Sequence, residues 1–466
     1  MARAVWHRGT SIASHEKGLK EKPVRKILSI NAFDAARTEA LESGIRDLVA
    51  RRQHAFGAHA LLSYDNPVQF VRGEGVWLYD HRGTPYLDVY NNVPSVGHCH
   101  PHVVEAISRQ AAVLNTNTRY LNEVVCSYAE RLLGTFPPEL SNVVFTCTGS
   151  ESVDLAIRVA RNVTGAAGFI VTRYAYHGNT CAAAEISPSY GRAVPVGAHV
   201  RMVPPPDGYR QAGRDVGADF AEDVRLAIEE LRGLGIGFAG MIADSIFSSD
   251  GVFADPPGFL ARAVDVVRAA GGLYIADEVQ PGLARTGDSM WGFQRHGILP
   301  DMVVLGKPMG NGMPVAGLVA RPEILGDFLR RAGYFNTFGG NSVSCAAGMA
   351  VLEVVDREDL MANAQRVGAH IMAGFRKMAE TYPLIGDVRG AGLYIGVELV
   401  KDRHTKDPAV EETGRLVNGL RDRHILIGAA GGNANVLKIR PPLPFSGENA
   451  DLFLSVTANV LETIST

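Results

Sequence analysis

Gly271-Gly272-Leu273-Tyr274-Ile275-Ala276-Asp277 and Asp301-Met302-Val303-Val304-Leu305-Gly306-Lys307 decide the fold. Each is a short apolar run that ends in a charged residue, as a buried strand does where it emerges at a sheet edge. Asp277 and Lys307 stand 30 positions apart, enough for one crossover helix. Similar short apolar runs, most ending in small or polar residues, occur upstream in NVVFTC (142–147), AGFIVTR (167–173), HVRMVPP (199–205) and FAGMIADS (238–245). Helix-length segments separate these runs. Together they predict an α/β fold whose mainly parallel sheet is covered by helices. In such a sheet ligands bind beyond the carboxyl ends of the strands, so Asp277 and Lys307 are expected to face one pocket.

The flanks read differently. GEGVWLYDHRGTPYLDVY (73–90) predicts short strands joined by Asp-x-x-Gly turns. After about Phe335, amphipathic helices (346–356, 363–380) precede short strands (387–400, 435–444). This is an α+β pattern, and the early strands are expected to join it, because no other partner is evident. The expected organisation is an N-terminal extension (1–60), the first part of a small domain (61–95), a large domain (96–338) and the C-terminal small domain (339–466).

Composition narrows the function. Basic and acidic residues number 46 and 49, so no electrostatic footprint for nucleic acid or an anionic membrane exists. No apolar run approaches the roughly 20 residues that span a bilayer. The five cysteines are scattered without Cys-x-x-Cys spacing, which points to a reducing cytoplasm. The basic first 26 residues lack the cleavage pattern or amphipathic helix of a transit peptide. His98, His100 and His102 alternate, but Pro101 interrupts the strand such a metal site needs, and no metal is expected.

A Lys or an Asp alone usually has a bland explanation: a solvated surface group or a turn former. Here a third feature joins them. Thr148-Gly149-Ser150-Glu151 follows a strand and opens the helical pattern SVDLAIRVAR, and bare amides at a helix N-terminus suit a phosphate. A nucleotide site does not fit. Gly306-Lys307 is followed by Pro308 rather than Ser or Thr, and no Gly-x-Gly-x-x-Gly follows a strand.

Over roughly residues 65–460 the chain resembles the class III aminotransferases of pyridoxal-phosphate fold type I. The motifs occur in order: Gly97-His98-x-His100-Pro101, Thr148-Gly149-Ser150-Glu151, Tyr176-His177-Gly178, Ala276-Asp277-Glu278-Val279-Gln280, Gly306-Lys307-Pro308, Thr337-Phe338-Gly339-Gly340-Asn341, Arg389-Gly390-x-Gly392-Leu393 and Pro441-Pro442-Leu443. Asn91-Asn92-Val93, Leu114-Asn115-Thr116-Asn117, Glu185-Ile186-Ser187-Pro188 and Lys307-Pro308-Met309-Gly310-Asn311-Gly312 resemble a narrower group. That group holds alanine–glyoxylate-type aminotransferases and ethanolamine-phosphate phospho-lyases.

The resemblance implies pyridoxal 5′-phosphate held by Lys307 as a Schiff base, with Asp277 on the pyridine nitrogen and Tyr176, beside His177, on the ring face. It implies Gln280 near the phenolic oxygen, Gly149 and Ser150 on the phosphate, and Thr337 reaching the phosphate of a partner subunit in a homodimer or a larger tetramer. The N-terminal extension is expected to cover the partner near the active-site entrance. The implied activity is omega-type transamination from a small amine or amino acid to a keto acid or aldehyde, with phospho-lyase action on a phosphorylated amine such as ethanolamine phosphate as the runner-up. Two positions depart from the family pattern. Lys438 stands where an Arg grips the substrate carboxylate, with Arg440 two residues on, and Asp244 stands where many members have a Glu that pairs with that Arg. The two changes together would preserve charge pairing between Asp244 and Lys438. Lys does not replace Arg in bidentate carboxylate binding, so either the substrate is an amine, ω-amino acid or phosphorylated amine rather than a simple α-amino acid, or Lys438 is a solvated strand residue and Arg440 binds the carboxylate.

Overall fold

The computed structural model describes residues 31–57 and 61–465. The basic N-terminal stretch, including the transit-peptide question, therefore lies outside the described residues. Ser43–Phe56 form a helix within the extension.

Strands β1 (Phe70–Glu74), β2 (Trp77–Asp80) and β3 (Pro85–Asp88) form an antiparallel meander. Next in the chain come β4 (Asn142–Thr146), β5 (Gly168–Thr172), β6 (Val200–Val203), β7 (Phe238–Asp244), β8 (Leu273–Asp277), β9 (Met302–Leu305) and β10 (Ala316–Ala320). These seven make the central sheet in the order β4-β10-β9-β8-β7-β5-β6. β10 runs antiparallel to both neighbours, and the other pairings are parallel. The sheet is the α/β layer anticipated from its apolar runs. β10 is the addition. Its Ala316-Gly317-Leu318-Val319-Ala320 sequence has little intrinsic strand preference, yet all five residues are buried between two partners.

The C-terminal part supplies β11 (Ile385–Ala391), β12 (Tyr394–Asp402), β13 (Asp407–Pro408), β14 (Ile425–Leu426), β15 (Gly428–Ala430) and β16 (Val436–Ile439). β11, β12, β16 and β15 form one sheet, with β13 attached to β12. β14 pairs in parallel with β3, joining the early strands to the C-terminal segment as their sequence patterns suggested. Arg389 on β11 locks this layer to the central one. Its guanidinium donates to the carbonyls of Gly251 (2.7 Å) and Val252 (3.0 Å) in the loop after β7, and pairs with buried Glu398 (2.8 Å).

The histidine-rich turn is tied down by carboxylates. His98 meets Asp88 at 2.8 Å, His100 meets Glu358 at 3.0 Å, and His102 meets Glu353 at 2.5 Å. The three imidazoles thus have separate partners, Asp88 on β3 and Glu353 and Glu358 on and at the end of the helix Ser342–Arg357.

Candidate active site

Four strand ends and one helix start build a cavity of about 360 Å³. Its wall includes Gly149, Ser150, Tyr176, His177, Asp244, Asp277, Gln280 and Lys307. Eight of the residues singled out in the sequence therefore meet here, although they span more than 150 positions.

The anion end is the helix Gly149–Thr164. Thr148 accepts from the Glu151 amide, and the Glu151 carboxylate accepts from the amides of Cys147 (2.7 Å) and Thr148 (3.2 Å), a complete capping box. The Gly149 and Ser150 amides have no intrahelical acceptor and carry the positive end of the helix dipole. A side chain at Gly149 would put Cβ 2.8 Å from Val279, and one at Gly178 would put it 2.7 Å from the Ser150 hydroxyl. Both glycines keep the cradle open. Ser150 Oγ also accepts from the Asn179 amide at 3.1 Å, which joins the Tyr176-His177-Gly178 segment to the cradle.

That segment has its own anchor. Ser187 accepts from the His177 amide at 2.8 Å and donates to the Ala183 carbonyl at 2.6 Å. His177 is thereby held so that Nδ1–H donates to Asp277 Oδ2 at 2.7 Å, while Asp277 Oδ1 accepts from the Val279 amide at 3.1 Å. Asp277 is thus a buried carboxylate with a fixed orientation. Its neighbour Glu278 points away and accepts from Ser245 (2.5 Å) and the amides of Gly292 and Phe293. Burial without a cation pushes Glu278 up to about 7.

Lys307 lies beyond β9 with φ near 33°, a left-handed conformation uncommon for a side-chain-bearing residue. Burial, reinforced by the charge of Arg440, brings its amine down to about 7, and Asp277 and Asp244 oppose that change without cancelling it. A substantial neutral fraction therefore exists near pH 7, and only the neutral amine is a nucleophile. Burial raises the Tyr176 phenol, whose ring sits 5.6 Å from that of Tyr190.

Three of the anticipated residues are not on the cavity wall. Thr337 is exposed, on a turn shaped by Asn336, which accepts from the Phe338 and Gly339 amides and donates to Glu151 at 3.3 Å. Lys438 on β16 is buried against Tyr394, its Nζ 5.8 Å from the ring centre, and has no hydrogen bond or ion pair among the described residues. Burial, followed by Arg440 and Lys307, brings its amine well below the ordinary lysine range. Arg440 is buried and donates to Asn92 Oδ1 and to Gln280 Oε1 (3.0 Å). Asp244 is tied to the amides of Ile246 and Ser248, both at 3.0 Å, and forms no ion pair with Lys438. Asp250, not singled out from the sequence, is buried near Lys438. It accepts from Thr172 (2.7 Å) and the Tyr174 amide (3.0 Å), and burial pushes it up to about 7.

The family model described as Aminotransferase class-III matches residues 62–461. The chain belongs to the class III aminotransferases. It is 40% identical over 418 residues to "Alanine--glyoxylate aminotransferase 2-like" of Drosophila melanogaster, covering 87% of this chain and 84% of that one. It is 37% identical to "Ethanolamine-phosphate phospho-lyase homolog 1" of Caenorhabditis elegans, covering 92% and 94%. Among solved structures, an Arthrobacter phospholyase in complex with phosphoethanolamine superposes with a TM-score of 0.87 at 43% identity, covering 90% of this chain and all of that one. The class III fold is that of the fold type I enzymes, and the cofactor is pyridoxal 5′-phosphate. The cavity fits it: an open amide cradle for phosphate, an oriented carboxylate for the ring nitrogen and a readily deprotonated lysine for the aldehyde.

Proposed function

We propose that this class III enzyme acts on a small phosphorylated primary amine and eliminates its phosphate. The observation that carries this reading is Lys438. It is a buried cation source without a partner, beside Lys307, in the position from which a family Arg would grip a carboxylate. Arg440, the alternative carboxylate ligand, is already engaged by Asn92 and Gln280. A compact ammonium suits a phosphate as a point charge, whereas a planar carboxylate is better matched by a guanidinium. The likeness to a phospholyase with bound phosphoethanolamine supports the same choice.

When bound, the cofactor supplies an aldehyde for the substrate amine and a protonated ring that withdraws electrons. Gly149 and Ser150 hold its phosphate, Tyr176 covers its ring, and Gln280 faces its phenolic oxygen. Asp277, oriented by His177, keeps the ring nitrogen protonated. Lys307 removes a proton from the carbon that bears the amine. The electron pair then forms a carbon–carbon double bond as the C–O bond to phosphate breaks. Lys438, set behind the cavity wall beside Lys307, draws the departing phosphate by its charge, taking up a proton from solvent as the anion arrives. One water completes the balance, and ethanolamine phosphate yields acetaldehyde, ammonia and inorganic phosphate. In this reading Asp244 holds the loop after β7 and balances charge without touching substrate.

Transamination is the second reading, favoured by the intact Lys307–Asp277 pair and the family itself. A single-turnover assay separates the two. The pyridoxal form is mixed with ethanolamine phosphate, alanine and simple amines, and phosphate release and pyridoxamine formation are followed separately. Phosphate release without pyridoxamine is the expected result. Pyridoxamine formed from alanine, with no phosphate from ethanolamine phosphate, would overturn the proposal.

The exposed Thr337 turn and the exposed apolar residues Tyr120, Leu121 and Phe338 suit a homodimer in which Thr337 reaches the neighbour's cofactor phosphate. Five free cysteines suit a reducing cytoplasm.

A further inference from the structure

Behind the cavity wall, three donors converge on one atom. Gln280 Oε1 accepts from Asn92 Nδ2 at 3.0 Å, Arg440 Nη1 at 3.0 Å and the Tyr394 hydroxyl at 3.3 Å. A guanidinium can only donate, so the oxygen of the Gln280 amide must be the atom that faces it. The amide nitrogen is thereby turned the other way, and Gln280 belongs to the cavity wall. Arg440 also donates to Asn92 Oδ1, and its guanidinium carbon lies 4.3 Å from the centre of the Tyr90 ring. Every one of these partners is neutral. No carboxylate forms an ion pair with Arg440 among the described residues; Asp88 acts on it only at longer range, so its charge is anchored without a direct counter-ion.

We propose that Arg440 is a positioning residue rather than a substrate ligand: with Asn92 and Tyr394 it fixes the Gln280 amide toward the cofactor's ring oxygen and sets a positive charge without a direct counter-ion behind the Lys307 nitrogen. The other charges that reach Lys307 are Asp277 at the end of β8, Asp244 at the end of β7 and Lys438 on β16. Among the cations, Arg440 is the one that stays charged at every working pH. A nearby positive charge disfavours protonation of the nitrogen, and an amide N–H on the ring oxygen lowers that oxygen's basicity. Both effects keep the bound lysine nitrogen unprotonated. This role is independent of whether phosphate is eliminated or an amino group transferred.

The test uses cofactor-loaded protein without substrate. The absorbance of the bound cofactor changes with protonation of the Lys307 nitrogen, and its midpoint is read by pH titration. Arg440→Met is expected to raise the midpoint by about one unit. Arg440→Lys, which keeps the charge but not the fork, is expected to restore most of it. Asn92→Ala and Tyr394→Phe keep the charge and free the amide. They are expected to weaken cofactor binding several-fold with a smaller rise in the midpoint. An Arg440→Met protein with an unchanged midpoint and a raised KM would overturn the proposal in favour of substrate binding. Should Arg440→Met fail to fold, the Asn92→Ala result decides, and an unaltered cofactor affinity there would sink the clamp. Absence of any cofactor absorbance band in the loaded parent protein would instead contradict the cofactor assignment.

Discussion

Replacing Lys307 with Met should stabilise the cofactor-free protein, by an amount that shrinks as pH rises. An ordinary lysine holds its proton to 10.5, and Lys307 to about 7. Each tenfold loss of proton affinity is 1.36 kcal/mol, so a charged Lys307 costs the fold about 5 kcal/mol below pH 7. Between those two values the unfolded chain binds a proton that the folded chain does not, so parent stability climbs with pH across that window. Methionine has no proton to lose and nearly the same shape. The advantage of Lys307→Met is therefore about 5 kcal/mol near pH 6, about 3 near pH 8 and about 1 near pH 9.5. Any packing difference adds a constant that does not vary with pH. Urea unfolding of both cofactor-stripped proteins, at one protomer concentration and these three pH values, measures the slope. A parent protein as stable as the variant near pH 6, or a difference that does not change with pH, would refute the reasoning.

Lys438→Met is expected to lower kcat/KM for phosphate release from ethanolamine phosphate by about 10- to 100-fold, because a hydrogen bond to a charged group contributes about 1.5–3 kcal/mol. A loss under threefold in a phosphate-release assay would remove Lys438 from the site. Gly149→Ala forces its Cβ to within 2.8 Å of Val279 and should weaken cofactor affinity by about tenfold or more, for a clash of about 1–3 kcal/mol. Equilibrium titration of stripped protein with pyridoxal phosphate checks it, and an unchanged Kd contradicts the cradle. Arg389→Met strips buried Glu398 of one of its two arginine partners, the other being Arg210 at 2.5 Å. A loss of about 3 kcal/mol is expected, seen as a lower Tm, and an unmoved Tm would show that the two layers are held by other contacts.

The strands were legible because their chemistry is local. Six apolar runs of the central sheet announce themselves by length and, in most, by the small or polar residues that follow, with Asp277 and Lys307 at or just beyond two of those ends. β10 was not legible, because Ala316 and Gly317 are strand residues only by virtue of β4 and β9 on either side. The helix start proposed as the phosphate cradle could be read from the Thr148–Glu151 capping pattern, since both halves of the capping box lie within one helical turn. The Arg440 cluster could not. Asn92, Gln280, Tyr394 and Arg440 are far apart in the chain and acquire meaning only where three layers meet. Lys438 was flagged by its departure from the family pattern, but its burial and lack of a partner are tertiary facts. The same holds for Asp244, whose expected charge pairing gives way to two backbone amides.

β7 and β8 run in register so that Asp244 and Asp277 stand side by side at one edge of the sheet. Across the cavity lies the positive end of the helix Gly149–Thr164. The site is thus a box with a polarity, acidic at one wall and electropositive at the other. A flat heteroaromatic ligand with phosphate at one end and a protonated ring nitrogen at the other can enter it in one sense only. The reversed sense sets anion against carboxylate and cation against helix dipole. In the proposed binding mode, orientation is settled before any bond to Lys307 forms, so the lysine would need only to wait at the correct distance. By the same reasoning, an analogue with a neutral substituent in place of phosphate would lose its heading as well as its affinity.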